Sequence, residues 1–404
     1  MNFLDLPAAD GGMKRYSLRG GTSWARPAAP LTSRAVYAAA HVIPEVSADN
    51  TPGAPAVLDW DSTLAYRSEL WSYGLGVADA MDTAQRGMGL DWAATQELIK
   101  RSGAEAAAVA GSGAAATAGK SVRDLLACGA GTDQLDLAAL PSGRAGLDVV
   151  LEAYREQVSV VSGAGAKVIL MASRALAAIA EGPEDYLYVY GTLLAEVDQP
   201  VVLHWLGTMF DPALAGYWGS TDVARATEVF LGLIMDNASA VDGVKVSLLD
   251  ASHEVSLRAA LPASVRLYTG DDYNYPELIH GDGTHHSDAL LGIFAAIYPA
   301  ASAAIQEYDA GNPDAGRAIL DSTRDLGLHI FSAPTFYYKT GVAFLSWING
   351  RQPGFQMVGG LQAGRSILHL SRTFELADTA GLLENPDEAA HRFGQLLSTY
   401  GVGV

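Results

Sequence analysis

Short apolar segments recur along the chain, and most are separated by stretches with helical periodicity. This alternation is typical of β-α units, in which crossover helices join parallel strands. The predicted strands cover residues 34–42, 75–81, 124–129, 166–172, 200–206, 242–249, 264–270 and 276–281. Eight such units predict a (β/α)8 TIM barrel, because eight parallel strands can close into a barrel surrounded by helices.

An open, doubly wound parallel sheet is the main alternative fold. Its dinucleotide-binding form carries a GxGxxG turn after the first strand, and P-loop proteins carry a GxxxxGK[ST] loop. No GxGxxG follows the first predicted strand, and the P-loop motif occurs nowhere in the sequence. The closed barrel is therefore the favoured fold.

Two regions are predicted to lie outside the barrel. Residues 1–33 form an N-terminal extension, and the barrel itself occupies residues 34–300. From about Ser287 onwards the predicted strands stop and helical periodicity dominates. Residues 301–404 are therefore predicted to form a C-terminal helical subdomain.

The charge balance limits the partners of the protein. The chain has 26 Lys and Arg residues against 45 Asp and Glu residues, a formal net charge of −19. Such an acidic surface repels phosphate backbones and anionic lipids, so neither nucleic acid nor a membrane is expected as a partner. The single Cys128 excludes an intramolecular disulfide. With no signal peptide or apolar membrane span recognised, a soluble cytoplasmic protein is expected.

The active site of a TIM barrel lies at the carboxyl ends of its strands. In the segment VDGVKVSLLD, the alternation of a strand places Val244 and Val246 on one face and Lys245 on the other. Lys245 is therefore predicted to point into the barrel. Burial lowers the pKa of a lysine, and the neutral amine can attack a carbonyl to form a Schiff base. The alternative is a lysine that pairs with a neighbouring carboxylate such as Asp271.

Four stretches carry a resemblance to a known family: DLLACGAGTDQLD, EVDQPVVLHWLG, VDGVKVSLLD and VRLYTGDDYNYPELIHGDGTHHSDAL. Their order and spacing resemble the later strands of the dihydrodipicolinate synthase and N-acetylneuraminate lyase superfamily. The resemblance implies a TIM barrel with Lys245 as the Schiff-base lysine of the sixth strand. It also implies a small-molecule carbonyl substrate and a homodimer or homotetramer, and no cofactor is predicted.

The sequence departs from this superfamily at two loops. After the second strand the family has a Gly-Thr-Thr-Gly-Glu type loop that binds a substrate carboxylate, whereas this chain reads MDTAQRG and keeps only Thr83. At the end of the fourth strand, Ser173 and Arg174 stand where the family has a proton-relaying tyrosine. Arg86 and Arg174 are expected to hold an anionic substrate, since a guanidinium matches a carboxylate. The alternative for both is an ion pair within a loop.

Histidines form the other candidate group. His41, His204 and His280 fall at or near the ends of predicted strands. One of them can replace the missing tyrosine in proton transfer, and we expect His204, Ser173 or a bound water in this role. Asp271 and His280 are expected to bind substrate hydroxyl groups. A metal site built from histidines with Asp82, Asp271 or Glu254 is ranked second, because no tight ligand motif supports it.

Together these features predict a Schiff-base (class I) aldolase or hydro-lyase that acts on a small keto acid, sugar acid or keto sugar through an imine at Lys245. One alternative is a divalent-metal-dependent sugar aldolase, epimerase or isomerase. Another is a binding protein that has lost catalysis, because fold does not imply function.

The first prediction concerns assembly. The resemblance implies a dimer or tetramer, and the Ala-rich helices offer flat surfaces for close packing between copies of the chain. Light scattering at micromolar concentration should give a mass of two or four chains. A monomeric mass of 42.3 kDa would contradict this expectation.

Overall fold

The computed structural model describes residues 3–402. An antiparallel hairpin of β1 (Phe3–Pro7) and β2 (Met13–Ser17) comes first. The next eight strands are β3 (Val36–Ala39), β4 (Gly76–Asp79), β5 (Leu126–Ala130), β6 (Lys167–Leu170), β7 (Val201–Leu206), β8 (Val241–Ser247), β9 (Arg266–Thr269) and β10 (Asp288–Leu291). They pair in chain order, and β10 pairs in parallel with β3. The prediction of a closed eight-stranded barrel is confirmed.

Helices follow the strands and cover the outside of the barrel. Those between strands are α1 (Trp60–Ser72), α2 (Trp92–Gly111), α3 (Val122–Leu125), α4 (Gly143–Gly163), α5 (Arg174–Ile179), α6 (Pro183–Glu196), α7 (Val223–Asp236), α8 (Ala251–Ala260) and α9 (Tyr275–His280). After β10 come α10 (Ile293–Asp309), α11 (Pro313–Ile330), α12 (Tyr338–Ile348), α13 (Ile367–Thr379) and α14 (Pro386–Thr399). Within residues 3–402, no helix combines the length and the apolar character needed to cross a bilayer.

The eighth predicted strand is wrong. Residues 276–281 belong to helix α9 and its end, where Pro276 occupies the first turn, a position that needs no N–H donor. The eighth strand is β10, which follows Ser287, where strands were predicted to stop. It is only four residues long and runs almost directly into α10, so its apolar residues read as part of one long helix.

The two chain ends pack together on one side of the molecule. The β1–β2 hairpin packs against α13 and α14, and the Tyr16 hydroxyl donates a 2.8 Å hydrogen bond to Asp378. Helix α10 begins directly after the last strand and continues past residue 300, so the predicted domain boundary falls inside a helix. The C-terminal helices are thus continuous with the barrel wall.

Polar and aromatic side chains fill the barrel interior near the amino ends of its strands. Lys167 Nζ lies 3.0 Å from both carboxylate oxygens of Asp242, which also accepts a 2.8 Å hydrogen bond from the Tyr268 hydroxyl. Glycine makes room for this layer, because a Cβ at Gly243 would lie 2.6 Å from the Tyr268 ring. The side chains that remain for chemistry are those nearer the carboxyl ends of the strands.

A buried ion pair ties the second barrel strand to the surrounding helices. Arg67 on α1 donates to both oxygens of Asp79 on β4, at 2.9 and 2.8 Å, and both side chains are fully buried. The Ser102 hydroxyl on α2 donates a further hydrogen bond of 2.7 Å to Asp79. One carboxylate therefore fixes two helices to the strand that leads into the second loop of the barrel mouth.

We expect Arg67→Met to lower the free energy of unfolding by about 3–5 kcal/mol, because it leaves the Asp79 carboxylate buried without its cation. Urea unfolding at neutral pH measures this change. Arg101→Met is the matched control, since Arg101 pairs with Glu97 on an exposed helix face, and it should change stability by less than about 1 kcal/mol. Equal effects of the two substitutions would contradict the role assigned to the buried pair.

Candidate active site

Lys245 lies inside the barrel on β8, the sixth barrel strand, and only 8% of it is exposed. A small cavity at the carboxyl ends of the strands surrounds it; the lining residues are Ala39, Met81, Asp82, Thr83, Leu206, Phe210, Lys245, Ser247, Asp272, Gly292 and Tyr338. Gly270 on the neighbouring chain segment makes room for the lysine, because a Cβ there would lie 3.0 Å from Lys245 Cε. The structure therefore places the predicted lysine in a cavity at the barrel mouth.

Two carboxylates act electrostatically on Lys245. Burial lowers the pKa of its amine, and attraction to Asp82 and Asp272 partly opposes that shift. Burial also raises the pKa of Asp272 to about 7, against the lowering effects of the Ile293 backbone N–H and the Lys245 charge. The Ile293 N–H donates to Asp272 over 2.8 Å, which fixes the carboxyl group at the cavity. The site therefore combines an amine that loses its proton readily with a carboxyl group that can hold one near neutral pH.

A tyrosine from the C-terminal helices reaches the same cavity. The Tyr338 hydroxyl on α12 shares a 2.6 Å hydrogen bond with Thr83 Oγ1, from the loop after β4. The Tyr338 ring stacks on Phe331, with the ring centroids 4.3 Å apart. Burial raises the pKa of this hydroxyl, and the negative charge of Asp82 adds to the shift. Tyr338 is thus a neutral proton donor held beside Thr83.

His204 also lies in the interior, on β7 next to Lys245 in the strand register. Burial and the neighbouring Lys245 charge hold its pKa well below the usual range. Its Nε2 lies 3.3 Å from Ser247 Oγ, and no partner for Nδ1 is found within residues 3–402. His204 is therefore a neutral imidazole, which can accept a proton but does not carry one to donate as an acid.

Ser173 has a partly structural role. Its Oγ caps helix α5 by accepting from the Leu176 N–H over 2.9 Å, and it shares a 2.6 Å hydrogen bond with Thr132. It lines a second, outer cavity that adjoins the Lys245 cavity and shares Asp82 and Leu206 with it. Ser173 and Lys245 therefore stand at different parts of the mouth.

The two arginines predicted to bind an anion differ sharply. The Nε and Nη2 atoms of Arg86 donate to the Asp133 carboxylate, and Nη2 also donates to the Gln157 side-chain oxygen. Its Nη1 donates to the backbone carbonyls of Ala80 and Gly129. All five of its N–H bonds thus have acceptors in the protein, which favours the ion-pair alternative for this residue.

Arg174 is less constrained than Arg86. Its Nε donates to Asp211, while in the described part of the chain no hydrogen bond from its Nη groups is found. It lines the outer cavity. Its guanidinium lies over Gly87, where a Cβ would come within 2.7 Å of Nη1. Arg174 therefore retains donors that are free for a ligand.

Asp271 and His280 are placed away from the Lys245 cavity. Asp271 accepts from the N–H groups of Tyr273 and Asn274, both over 2.9 Å, and closes the turn after β9. The carboxylate that faces Lys245 is that of its neighbour Asp272. His280 ends helix α9, where the Ile279 carbonyl accepts from Arg34 just before β3. It therefore lies at the amino end of the barrel, and its prediction at a strand end was wrong because residues 276–281 form a helix.

Other histidines have partners of their own, and the rings of His329 and His369 stack with their centroids 4.0 Å apart. His41 Nε2 lies 2.9 Å from the Gln352 side-chain oxygen, and His253 Nε2 lies 2.9 Å from Thr227 on the neighbouring helix. In the range 3–402, no group of three or more His, Cys, Asp or Glu side chains is arranged to hold a metal ion. The described geometry thus offers no specific support for the metal alternative.

Comparison with known proteins identifies the family. Residues 4–402 match the family described as "Protein of unknown function (DUF993)". The chain belongs to this family. A search of curated proteins gives no match.

Several solved structures of the dihydrodipicolinate synthase family are similar to this chain. YagE from E. coli K12, a prophage protein of the dihydrodipicolinic acid synthase family in complex with pyruvate, has a TM-score of 0.60 at 12% identity, covering 91% of this chain and 99% of its own. Dihydrodipicolinate synthase from Aquifex aeolicus has a TM-score of 0.57 at 11% identity, with 92% and 99% covered. The enzyme from Bacteroides thetaiotaomicron has a TM-score of 0.58 at 13% identity, with 85% and 98% covered. The predicted resemblance is confirmed at the level of the fold.

Sequence reasoning missed two groups at the cavity of the DUF993 protein. Asp272 is one residue from the predicted Asp271, and the pair of aspartates after β9 was the available signal. Tyr338 lies 93 positions after Lys245 in the chain, on α12. No local pattern indicates that its helix packs over the barrel mouth, so only the tertiary structure identifies it.

The raised pKa of Asp272 predicts a pH effect on stability. The folded protein keeps the Asp272 proton up to about pH 7, whereas the unfolded chain loses it near pH 4. The stabilising contribution is therefore present below about pH 4 and is lost as the pH rises to 7. Asp272→Asn removes this titration, so its stability relative to the wild type should increase over that range in urea unfolding. Asp10→Asn, on the exposed hairpin turn, is the control; parallel curves for Asp272→Asn and wild type would contradict the assignment.

Proposed function

We propose that this protein is a Schiff-base (class I) aldolase or hydro-lyase that acts on a small carbonyl compound through an imine at Lys245. One observation carries the proposal: a buried lysine on the sixth strand of the barrel faces a cavity that also holds Asp272, Tyr338 and Thr83. An amine whose pKa is lowered by burial is the nucleophile that imine formation needs. The similar solved structures named above are of the dihydrodipicolinate synthase family, which supports a lyase as the general class of enzyme.

In the first half of the reaction, the neutral Lys245 amine attacks the carbonyl carbon and forms a carbinolamine. Its hydroxyl group then leaves as water, which takes up one proton, and a protonated imine remains. Asp272 can supply that proton, because its pKa near 7 leaves a fraction of the carboxyl groups protonated at neutral pH. The imine carbon then accepts an electron pair more readily than the original carbonyl.

In the second half, aldol cleavage breaks the bond between the α-carbon and the next carbon, and its electron pair moves toward the imine to form an enamine; a base takes the proton of the hydroxyl group that becomes the departing carbonyl. Dehydration instead begins with loss of a proton from the α-carbon to a base, which forms the same kind of enamine, and the enamine then expels the hydroxyl of the next carbon, which an acid protonates to water. The hydrogen-bonded Tyr338 and Thr83 hydroxyls stand at this cavity and are suited to relay either proton. After aldol cleavage the enamine takes up a proton at its α-carbon and becomes an imine again. Hydrolysis of the imine then releases the product and returns the free amine.

The proton-transfer roles of His204 and Ser173 are weaker than first predicted. Ser173 lines the outer cavity and already bonds Thr132 and a helix end. The lowered pKa of His204 keeps it neutral, so it can act only as a base. Tyr338 and Asp272 line the cavity of Lys245 itself and are therefore the proton-transfer groups that this proposal favours.

The charges near Lys245 bear on the class of substrate. Asp82 and Asp272 both line its cavity, so a carboxylate attached directly to the reacting carbonyl would meet the charge of Asp82, and that of Asp272 whenever this group is ionised, in a poorly hydrated space. A carbonyl flanked by hydroxyl groups can instead donate hydrogen bonds to these carboxylates. We therefore favour a keto sugar, or a sugar acid whose acid group is distant from the carbonyl, over a 2-keto acid.

Reduction with borohydride tests the imine directly. Incubation with dihydroxyacetone, hydroxypyruvate or pyruvate, followed by borohydride, should add the reduced carbonyl compound to Lys245, and peptide mass spectrometry locates the adduct. Lys245→Arg should abolish the adduct, because a guanidinium does not form it. Lys100→Arg, on an exposed face of α2, is the matched control and should label like the wild type.

Two outcomes would contradict the proposal. One is an absence of adduct at Lys245 with all three compounds, which favours a binding protein instead. The other is labelling of Lys245 no greater than that of Lys100, which would show that its burial confers no special reactivity.

A further inference from the structure

A substrate larger than its reacting carbonyl needs space beyond the cavity of Lys245. That cavity has a volume of about 10 Å³, which is close to the space that a single water molecule needs. The outer cavity has a volume of about 150 Å³ and adjoins the first through Asp82 and Leu206. The outer cavity can therefore take the part of an extended substrate that does not fit beside Lys245.

Two ion pairs balance most of the charge in the outer cavity. Arg86 pairs with Asp133 in its wall. Arg174 pairs with Asp211 through its Nε. The remaining ionisable residue of the wall is Asp82, and within residues 3–402 no hydrogen bond or ion pair of its carboxylate is found. An anionic ligand would therefore meet a carboxylate without a paired cation, so the charge of the cavity disfavours an anion.

Hydrogen-bonding groups of both kinds remain available in the outer cavity. The Asp82 carboxylate is an acceptor, and the Nη groups of Arg174 are donors for which the described part of the chain supplies no acceptor. The buried hydroxyl groups of Thr132 and Ser173 also line the cavity and share a 2.6 Å hydrogen bond. A hydroxyl group has one donor and two acceptor positions, so Thr132 can still bond a ligand.

A ligand hydroxyl group matches these positions better than a charged group does. It can donate to Asp82 and accept from Arg174, because its oxygen does both. An ammonium group could donate to Asp82, but it has no lone pair for Arg174 and is repelled by the guanidinium. Leu135, Leu137 and Leu206 line the same cavity and can pack against the C–H groups of a carbon chain.

We propose that the outer cavity binds the hydroxylated carbon chain of a neutral keto sugar whose carbonyl group reaches Lys245. The chain hydroxyl nearest the carbonyl donates to Asp82, where the two cavities meet, and hydroxyl groups farther along bond Arg174 and Thr132. The carbonyl end of this assignment rests on the proposed function, whereas the hydroxyl site is defined by the wall of the outer cavity alone.

Titration of polyols followed by ligand-detected NMR tests the hydroxyl site without any imine chemistry, because these compounds carry no carbonyl group. Erythritol should bind saturably at neutral pH. Two analogues should each bind about tenfold more weakly because they carry a charge. One is erythronate, in which a carboxylate replaces a terminal CH2OH group. The other is 4-aminobutane-1,2,3-triol, in which an ammonium group replaces a terminal hydroxyl.

Two variants test the residues of the hydroxyl site. Arg174→Met should weaken erythritol binding about tenfold and Thr132→Val about threefold, because the first removes donors that carry a charge and the second a neutral hydroxyl. Thr132→Val preserves the shape of the side chain, and Arg174 is 41% exposed, so neither change should prevent folding. The matched controls Arg225→Met and Thr399→Val alter exposed side chains elsewhere and should bind erythritol like the wild type.

Three results of the titration would overturn the hydroxyl site. The first is an absence of saturable erythritol binding by the wild type. The second is tighter binding of erythronate or of the aminotriol than of erythritol. The third is an unchanged affinity for erythritol in both variants.

Trapping with two matched ketones tests whether one molecule occupies both cavities. Erythrulose and 1,3-dihydroxybutan-2-one have the same carbon chain, and they differ only in the terminal hydroxyl group that erythrulose carries. With borohydride, the wild type should label Lys245 at about tenfold lower concentrations of erythrulose, the effect of one hydrogen bond to a charged group. Arg174→Met should remove most of this preference, and Arg225→Met should retain it.

The outcomes separate this inference from the proposed function. Equal labelling by both ketones, together with no binding of erythritol, overturns the hydroxyl site and leaves the imine intact. Erythritol binding that depends on Arg174, with no adduct at Lys245 from either ketone, supports the hydroxyl site and overturns the imine.

Discussion

Closure of the sheet between β10 and β3 is the constraint on which the rest of the molecule depends. Ala289 pairs with Val36 and Leu290 with Tyr37 in parallel register, so no strand edge is left and the carboxyl ends of all eight strands meet at one mouth. Residues that are far apart in the chain thereby face one small cavity. Lys245 on the sixth strand, Thr83 after the second and Asp272 after the seventh are brought together by this closure alone.

The C-terminal helices contribute to the barrel mouth through hydrogen bonds to the loop after β4. Gln85, in the loop after β4, donates from its side chain to the Val358 carbonyl over 2.7 Å, and Thr340 on α12 donates to the Leu361 carbonyl over 3.0 Å. The loop that carries Asp82 and Thr83 is therefore attached to the same segment that holds α12. Because Tyr338 on α12 lines the cavity of Lys245, a small shift of this helix would change that cavity.

The sequence is sufficient to predict the barrel and its central lysine, because both depend on local patterns. Apolar alternation defines strands, and the period of two in VDGVKVS determines the face on which Lys245 lies. The features that the sequence does not predict depend on packing between distant elements. How the chain turns after β9 decides which of Asp271 and Asp272 faces Lys245. The hydrogen-bond acceptors of Arg86 are Asp133, Gln157 and two carbonyls, and no sequence spacing indicates that these groups lie together.

The distribution of charge over the two cavities bears on the substrate that the proposed reaction would use. Asp82 lies between them and attracts both Lys245 and Lys339. Asp82 lines both cavities, and Asp133 and Asp211 also line the outer one beside the free donors of Arg174. A charge on the substrate next to its carbonyl would therefore meet Asp82 at the cavity of Lys245. A substrate that is neutral there avoids this repulsion, so the charges of the cavity would select among carbonyl compounds before any bond to Lys245 forms.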